Sequence, residues 1–222
     1  MALVEADIAL SRPKESQDEG ADSQSYHIVL SSTSLPKRLI ASSPYTDEAH
    51  LLDLDRLELP SRALALALQS MEATSESYAT TPYLEAFNWP AVFQRVQQET
   101  LNESTAAEKN LWDWSFYVVV FRSIISPTVD RDLMFLLDKE SHREASESGG
   151  LLKYWYGSPN AESRNLATCL WRSAEDAREG GKGPLHRMAR AEAKNFYKTI
   201  TFETWKLDVK RAGEEWSLEK IS

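Results

Sequence analysis

The spacing of apolar residues changes character along the chain, and the second half is the more regular. Residues 114–125 (WSFYVVVFRSII) place aromatic and β-branched side chains on both faces of an extended segment, which predicts a strand buried on both sides. Pro127 ends it. Residues 128–148 follow with Val129, Leu133, Leu136 and Leu137 on one stripe and charges opposite, the pattern of an amphipathic helix, and Gly149 and Gly150 stop it. Residues 151–156 (LLKYWY) read as a second strand, 157–163 as a polar turn, and 165–172 (NLATCLWR) as a third strand antiparallel to the second. Ser173 with Glu175 and Asp176 resembles a helix cap with an acidic first turn. That helix breaks at residues 180–183 (GGKG). It restarts at Pro184 and runs to about Tyr197 with Leu185, Met188, Ala189 and Phe196 facing inward. Residues 199–209 alternate as a strand, Gly213 turns the chain, and 216–221 add a last strand.

The order from residue 114 is therefore β-α-β-β-α-β with a terminal hairpin, an α+β pattern of the ferredoxin-like type with an antiparallel sheet. Two helices cover one face of such a sheet. The other face needs a cover as well, either a second copy in a homodimer or the N-terminal helices. Trp114, Trp155, Trp171 and Trp205 all come from strands. That aromatic surface predicts a lined cavity, a tight interface or simple core packing.

The first half is less regular. Residues 1–24 are polar and acidic and read as a disordered tail. Residues 26–30 (YHIVL) form a short strand candidate, and 51–59 (LLDLDRLEL) a second strand or an extended cover. A helix is predicted to start at Pro60 and another over 89–100, with Asn88 as its cap and Val92, Phe93 and Val96 on one stripe. The expected organisation is an acidic tail followed by one α+β domain over 25–222, in which 25–110 is a helical extension and 111–222 the ferredoxin-like core.

Charge narrows the function classes. The 222 residues carry 34 acidic and 25 basic side chains, a formal net charge of −9, which disfavours nucleic acid as a partner. No apolar run approaches the roughly 18 residues that span a bilayer. The N-terminus has no long apolar core of a secretory signal, so no membrane partner and a cytoplasmic location are expected. Cys169 is the single cysteine, which excludes a disulfide framework and a cysteine-rich zinc site. The four histidines, His27, His50, His142 and His186, lack paired spacing, so no metal is expected. The phosphate-loop, dinucleotide, G-x-S-x-G and zinc-protease motifs are missing, and no cofactor that needs them is expected.

Residues 153–157 (KYWYG), 164–177 (RNLATCLWRSAEDA) and 183–189 (GPLHRMA) together resemble a fungal protein family that carries W-Y-G, then N-L-A-T-C-x-W-R-S, then a helix with a histidine. The resemblance implies no reaction. At the level of fold the pattern is similar to the dimeric α+β barrel superfamily, which includes antibiotic-biosynthesis monooxygenases and small polyketide cyclases. That likeness implies a ligand between the sheet and its helices or loops.

Several side chains are candidates for chemistry. His186, on one helix face with Arg190 and Tyr197, is a candidate proton-transfer group with Tyr197, or simply satisfies the helix start. Arg172 can hold a carboxylate or enolate through two parallel hydrogen bonds, or pair with Asp176; Arg164 can pair with Glu162. Arg122 lies within an apolar strand, as a pocket anchor or a strand-end surface group. Asn165 and Thr168 fall on opposite faces of their strand. Cys169 reads as a buried structural thiol. Catalytic roles are assigned to His186, Arg172 and Tyr197, and substrate contacts to Arg122, Trp155, Asn165 and Trp171.

Two functions of different class follow. The first is a cofactor-independent small-molecule enzyme of fungal secondary metabolism, of cyclase or isomerase type. It takes an apolar substrate in an aromatic cavity bounded by Trp155, Trp171 and the His186 helix, with a cofactor-free monooxygenase as its variant. The second is a non-catalytic binding or interaction domain, with the tryptophans as core and the interior near His186 filled.

Overall fold

The structure is a computed structural model that describes residues 38–103 and 113–222. The acidic tail over 1–24 and the strand candidate at 26–30 lie outside the described residues.

The doubly apolar run becomes the middle of the main sheet. Seven strands are described: β1 (Leu39–Ala41), β2 (Leu51–Asp53), β3 (Asp113–Ile125), β4 (Leu151–Tyr156), β5 (Arg164–Trp171), β6 (Tyr197–Lys210) and β7 (Glu215–Lys220). β1 and β2 form a small antiparallel ribbon. The main sheet has the order β4-β5-β3-β6-β7, and every neighbour in it is antiparallel. With crossovers from β3 to β4 and from β5 to β6, this is the ferredoxin-like α+β arrangement, extended by the β7 hairpin strand. β3 is the middle strand, paired with β5 on one side and β6 on the other, with helical layers on both of its faces.

The two faces of β3 are buried to different degrees. Phe116, Val118 and Val120 are at most 4% exposed, while Tyr117, Val119 and Phe121, which point the other way, are only partly buried. The sealed face also carries Leu166, Leu170 and Leu207, and it is covered by the helices α1 (Leu59–Ala67), α2 (Tyr83–Ala86) and α3 (Trp89–Glu103). Leu64, Leu68, Trp89, Val92, Phe93 and Val96 belong to the same core. The chain thus supplies its own cover, and no second copy is needed to bury this face.

Helices α4 (Arg131–Ser148), α5 (Ala174–Gly180) and α6 (Pro184–Phe196) lie on the opposite face, where Ala145 and Ala177 meet Tyr117, Val119, Tyr154, Cys169 and Trp171. Among the described residues no helix is long and apolar enough to cross a membrane.

Several local expectations need correction. Residues 51–59 do not continue as one strand: β2 ends at Asp53, Leu54–Arg56 forms a 3-10 turn, and α1 begins at Leu59 with Pro60 in its first turn. Asn88 does not cap α3 with its side chain. Its amide donates to the Ser70 carbonyl at 2.9 Å and its oxygen accepts from the Glu72 N–H at 3.0 Å, closing a loop instead. α4 begins three residues later than its pattern, because the Asp130 carboxylate accepts from the Leu133 N–H at 3.0 Å and fixes the cap there. Its inner row is Leu137, Ser141, His142 and Ala145, while Leu136 is 53% exposed. On α6, Phe196 is buried but Met188 is 50% exposed. The glycine stop after α4 is borne out: Gly149 and Gly150 have φ of 77° and 92°.

Two glycines of the noted motifs are explained by close approach. A side chain at Gly157 would overlap the Tyr78 phenol, which bonds the Ser158 carbonyl, and one at Gly180 would enter the Trp171 indole.

Trp89 is fully buried between the helices and the sheet. Trp89→Ala is expected to cost about 3–5 kcal/mol of unfolding free energy by denaturant titration. Phe202→Ala, at a 59% exposed position, should cost about 1 kcal/mol or less. Equal costs at the two positions would contradict the assignment of the core.

Candidate functional site

The partly buried face of the sheet gathers most of the polar chemistry. Residues 42–50 cross over α4, held by the Asp47–Lys139 ion pair at 2.5 Å and by a Tyr154 N–H bond to the Ser42 carbonyl at 2.9 Å. This strap brings Tyr45 and His50 down onto α4. α4 contributes Asp138, Ser141 and His142, spaced three and four residues apart so that they share one face. The alternation of β4 presents Tyr154 and Tyr156 from below.

Asp138 is the focus. One carboxylate oxygen accepts from the Tyr45 hydroxyl at 2.5 Å and the other from the Tyr154 hydroxyl at 2.6 Å. Burial pushes the Asp138 pKa up, and the two tyrosine hydrogen bonds only partly oppose this. Both tyrosines are pushed above the usual phenol value, first by burial and then by the neighbouring Asp138 charge. Tyr197, the first residue of β6, is raised to about 12 by burial and by Asp138. Cys169 is likewise raised by burial, so its thiol stays protonated and is a poor nucleophile.

Beside this carboxyl lies a histidine pair. The Nδ1 atoms of His50 and His142 are 2.9 Å apart, and the rings stack at 5.1 Å. One nitrogen must carry the proton and the other accept it. The Tyr45 ring packs against both imidazoles at 5.2 and 5.4 Å. Burial lowers the pKa of both histidines, that of His142 to about 3. The His142 Nε2 atom and the Ser141 hydroxyl are buried without a protein partner.

The residues selected from sequence are not brought together. Trp155 lies on the sealed face, edge-on to Phe87 at 4.8 Å and Tyr78 at 5.2 Å. Trp171 lies on the other face beneath Gly180. The sheet separates them, so the single cavity bounded by Trp155, Trp171 and the His186 helix does not form. His186 and Tyr197 stand at opposite ends of α6, roughly 16 Å apart along the helix, because eleven residues at a 1.5 Å rise separate them. They are not a proton-transfer pair.

The N–H groups of Leu185 and His186 both donate to the Glu144 carboxylate at 2.9 Å, so Glu144 caps α6. Gly183 leaves the room for that carboxylate. The His186 ring itself is largely buried, its pKa lowered first by burial, with Nδ1 unpartnered. Arg172 pairs with Asp176 at 2.8 Å, the structural alternative of its two readings. Arg122, on the sealed face, donates to the Ala79 and Thr81 carbonyls at 2.8 Å. The Asn165 side chain accepts from the Leu166 N–H at 2.9 Å, while Thr168 bonds the Tyr83 hydroxyl at 2.8 Å on the other face.

Tyr45, His50, Asp138, His142 and Tyr154 were not selected from sequence, and of the selected residues Tyr197 alone lies within the influence of Asp138. The legible signal was Asp138 itself, a carboxylate on α4 one position after the buried Leu137. No cluster of three or more metal-ligating side chains is found among the described residues.

A family model described as PB2B2.08-like matches residues 41–220, and the chain belongs to that family. UPF0643 protein PB2B2.08 of Schizosaccharomyces pombe (strain 972 / ATCC 24843) is 38% identical over 192 residues, 83% of this chain and 86% of that protein. Among solved structures, one assigned to the antibiotic biosynthesis monooxygenases from Chloroflexus aurantiacus J-10-fl is 20% identical, with a TM-score of 0.34. It covers 40% of this chain and 89% of its own. Rv0793 from Mycobacterium tuberculosis is 17% identical with a TM-score of 0.35, over 40% and 91% of the two chains.

The histidine pair sets a pH dependence. The unfolded chain takes up a proton at His142 near 6.5, whereas the native form resists it down to about 3. The contribution of His142 to stability is therefore full above pH 6.5 and is lost as pH drops through that window. Asp138 acts in the opposite sense, since its raised pKa favours the native form at lower pH. The difference between the protein and His142→Phe isolates the histidine. Thermal melting of the protein should decline more steeply below pH 6.5 than that of the variant; parallel curves would refute the assignment.

Proposed function

We propose that this PB2B2.08-like protein is a cofactor-independent small-molecule enzyme of cyclase or isomerase type, acting on an apolar substrate of fungal secondary metabolism. The observation that carries the reading is the Asp138 carboxyl held between the Tyr45 and Tyr154 hydroxyls, on the sheet face that the helices cover only in part.

A carboxyl with a raised pKa, hydrogen-bonded to two phenols, is suited to moving a proton near neutral pH. As carboxylate, Asp138 takes a proton from carbon beside a substrate carbonyl. The electron pair moves onto the carbonyl oxygen as an enolate, and a tyrosine hydroxyl stabilises that charge. Returning the proton to a different carbon gives an isomer. Attack of the enolate carbon on a second carbonyl of the same molecule closes a ring, with loss of water where dehydration follows. Neither route needs an oxidant, a reductant or a metal. Val119, Phe121, Ala167 and Tyr156, all partly exposed on this face, supply the apolar and aromatic surface for the substrate.

The test is to incubate the purified full chain with a fungal metabolite extract and follow its composition over time by mass spectrometry. The expected result is consumption of one compound with a product of equal mass or lighter by one water. Asp138→Asn should slow that conversion by at least about 100-fold. A product heavier by one oxygen would replace this reading with the cofactor-free monooxygenase. An extract left unchanged, or one changed equally by Asp138→Asn, would overturn it in favour of a non-catalytic binding domain.

A further inference from the structure

We propose that a second site, an open cleft on the opposite side of the sheet, binds a small organic anion. The period-two alternation of the strands puts Arg122 and Ile124 of β3, Arg164 of β5, and Thr199, Thr201, Glu203 and Trp205 of β6 on one face. At this end of the sheet the helical cover stops. The segment 79–83 and Lys220 of β7 complete a cleft of about 580 Å³, the size of a small-molecule site.

Its walls are fixed by internal bonds. Arg122 holds the Ala79 and Thr81 carbonyls at 2.8 Å. Glu203 accepts from the Trp205 indole N–H at 3.1 Å and lies 3.7 Å from Arg122 and 3.5 Å from Lys220. Arg164 is exposed at the rim and has no side-chain partner among the described residues. Three cationic side chains therefore meet one carboxylate, and that carboxylate is already engaged.

The whole chain carries −9, yet local charge governs the cleft. Exposed charges more than about 10 Å away are largely screened at 0.1 M salt, whereas those lining a cleft are not. Arg164 offers the planar fork that takes a carboxylate or phosphate through two parallel hydrogen bonds. The Thr80 and Thr201 hydroxyls already donate to the Ser77 and Arg122 carbonyls, so the exposed Thr199 hydroxyl is the one that can add a donor to the anion, and Pro82 and Ile124 provide apolar contact for the rest of the ligand. The ligand class is an anion with a compact apolar body. The site is independent of Asp138, from which the sheet separates it.

Isothermal titration of the full chain with indole-3-acetate, the neutral indole-3-acetamide and inorganic phosphate tests the site. Indole-3-acetate or phosphate should bind, the amide at least about tenfold more weakly than indole-3-acetate, and Arg164→Gln should weaken the anion by about tenfold. Binding of indole-3-acetate assigns an organic carboxylate; binding of phosphate alone assigns a phosphate-bearing ligand. Equal binding of acid and amide, affinity unchanged in Arg164→Gln, or no binding of either anion would overturn the proposal. Arg164 is exposed, so the variant keeps the fold.

Discussion

Removal of one face of the main sheet from water is the constraint on which the rest of the structure depends. Phe116, Val118, Val120, Leu166, Leu170 and Leu207 form an apolar surface that no two-layer arrangement with α4–α6 alone could bury. The chain meets this need with its own α1–α3, seated through Trp89, Val92, Phe93 and Val96. Each large side chain buried there contributes roughly 1.5–3 kcal/mol. The few polar groups admitted to this layer are paired, as in the Tyr83–Thr168 hydrogen bond.

That cover fixes where chemistry can sit. The sealed face is filled, except at the end of the sheet where the helices stop and the Arg122 cleft opens. The other face is only partly covered, and there the strap over α4 brings Tyr45 onto Asp138 and His50 onto His142. Asp138 and His142 are costly to hold in such surroundings as charged groups, and each responds by shifting its pKa toward the neutral form. The pairings Tyr45–Asp138–Tyr154 and His50–His142 are what make their burial tolerable.

Much of the layer order was legible in the chain. The doubly apolar run of β3, the glycine stop after α4 and the Ser173 cap, whose hydroxyl accepts from the Asp176 N–H, follow from local rules and are present. The motif glycines could be seen but not explained. Gly157 and Gly183 are small because Tyr78 and Glu144, distant in sequence, occupy their space. Strand alternation could have shown that Trp155 and Trp171 need not share a cavity, but their relative facing depended on the antiparallel register and on the bulge at Leu151–Lys153.

The sequence by itself determined the strands of the main sheet, the helices between them and their antiparallel pattern, because backbone propensity and hydrophobic period act over a few residues. It did not determine the candidate site. His50 and His142 are 92 residues apart, and Tyr45 and Asp138 are 93 apart, so no spacing rule could join them. Only the tertiary structure decided that α1–α3 would seal one sheet face and that the strap would cross α4. Both outcomes depend on which apolar surfaces find each other in space, and it is that packing which places a carboxyl between two phenols.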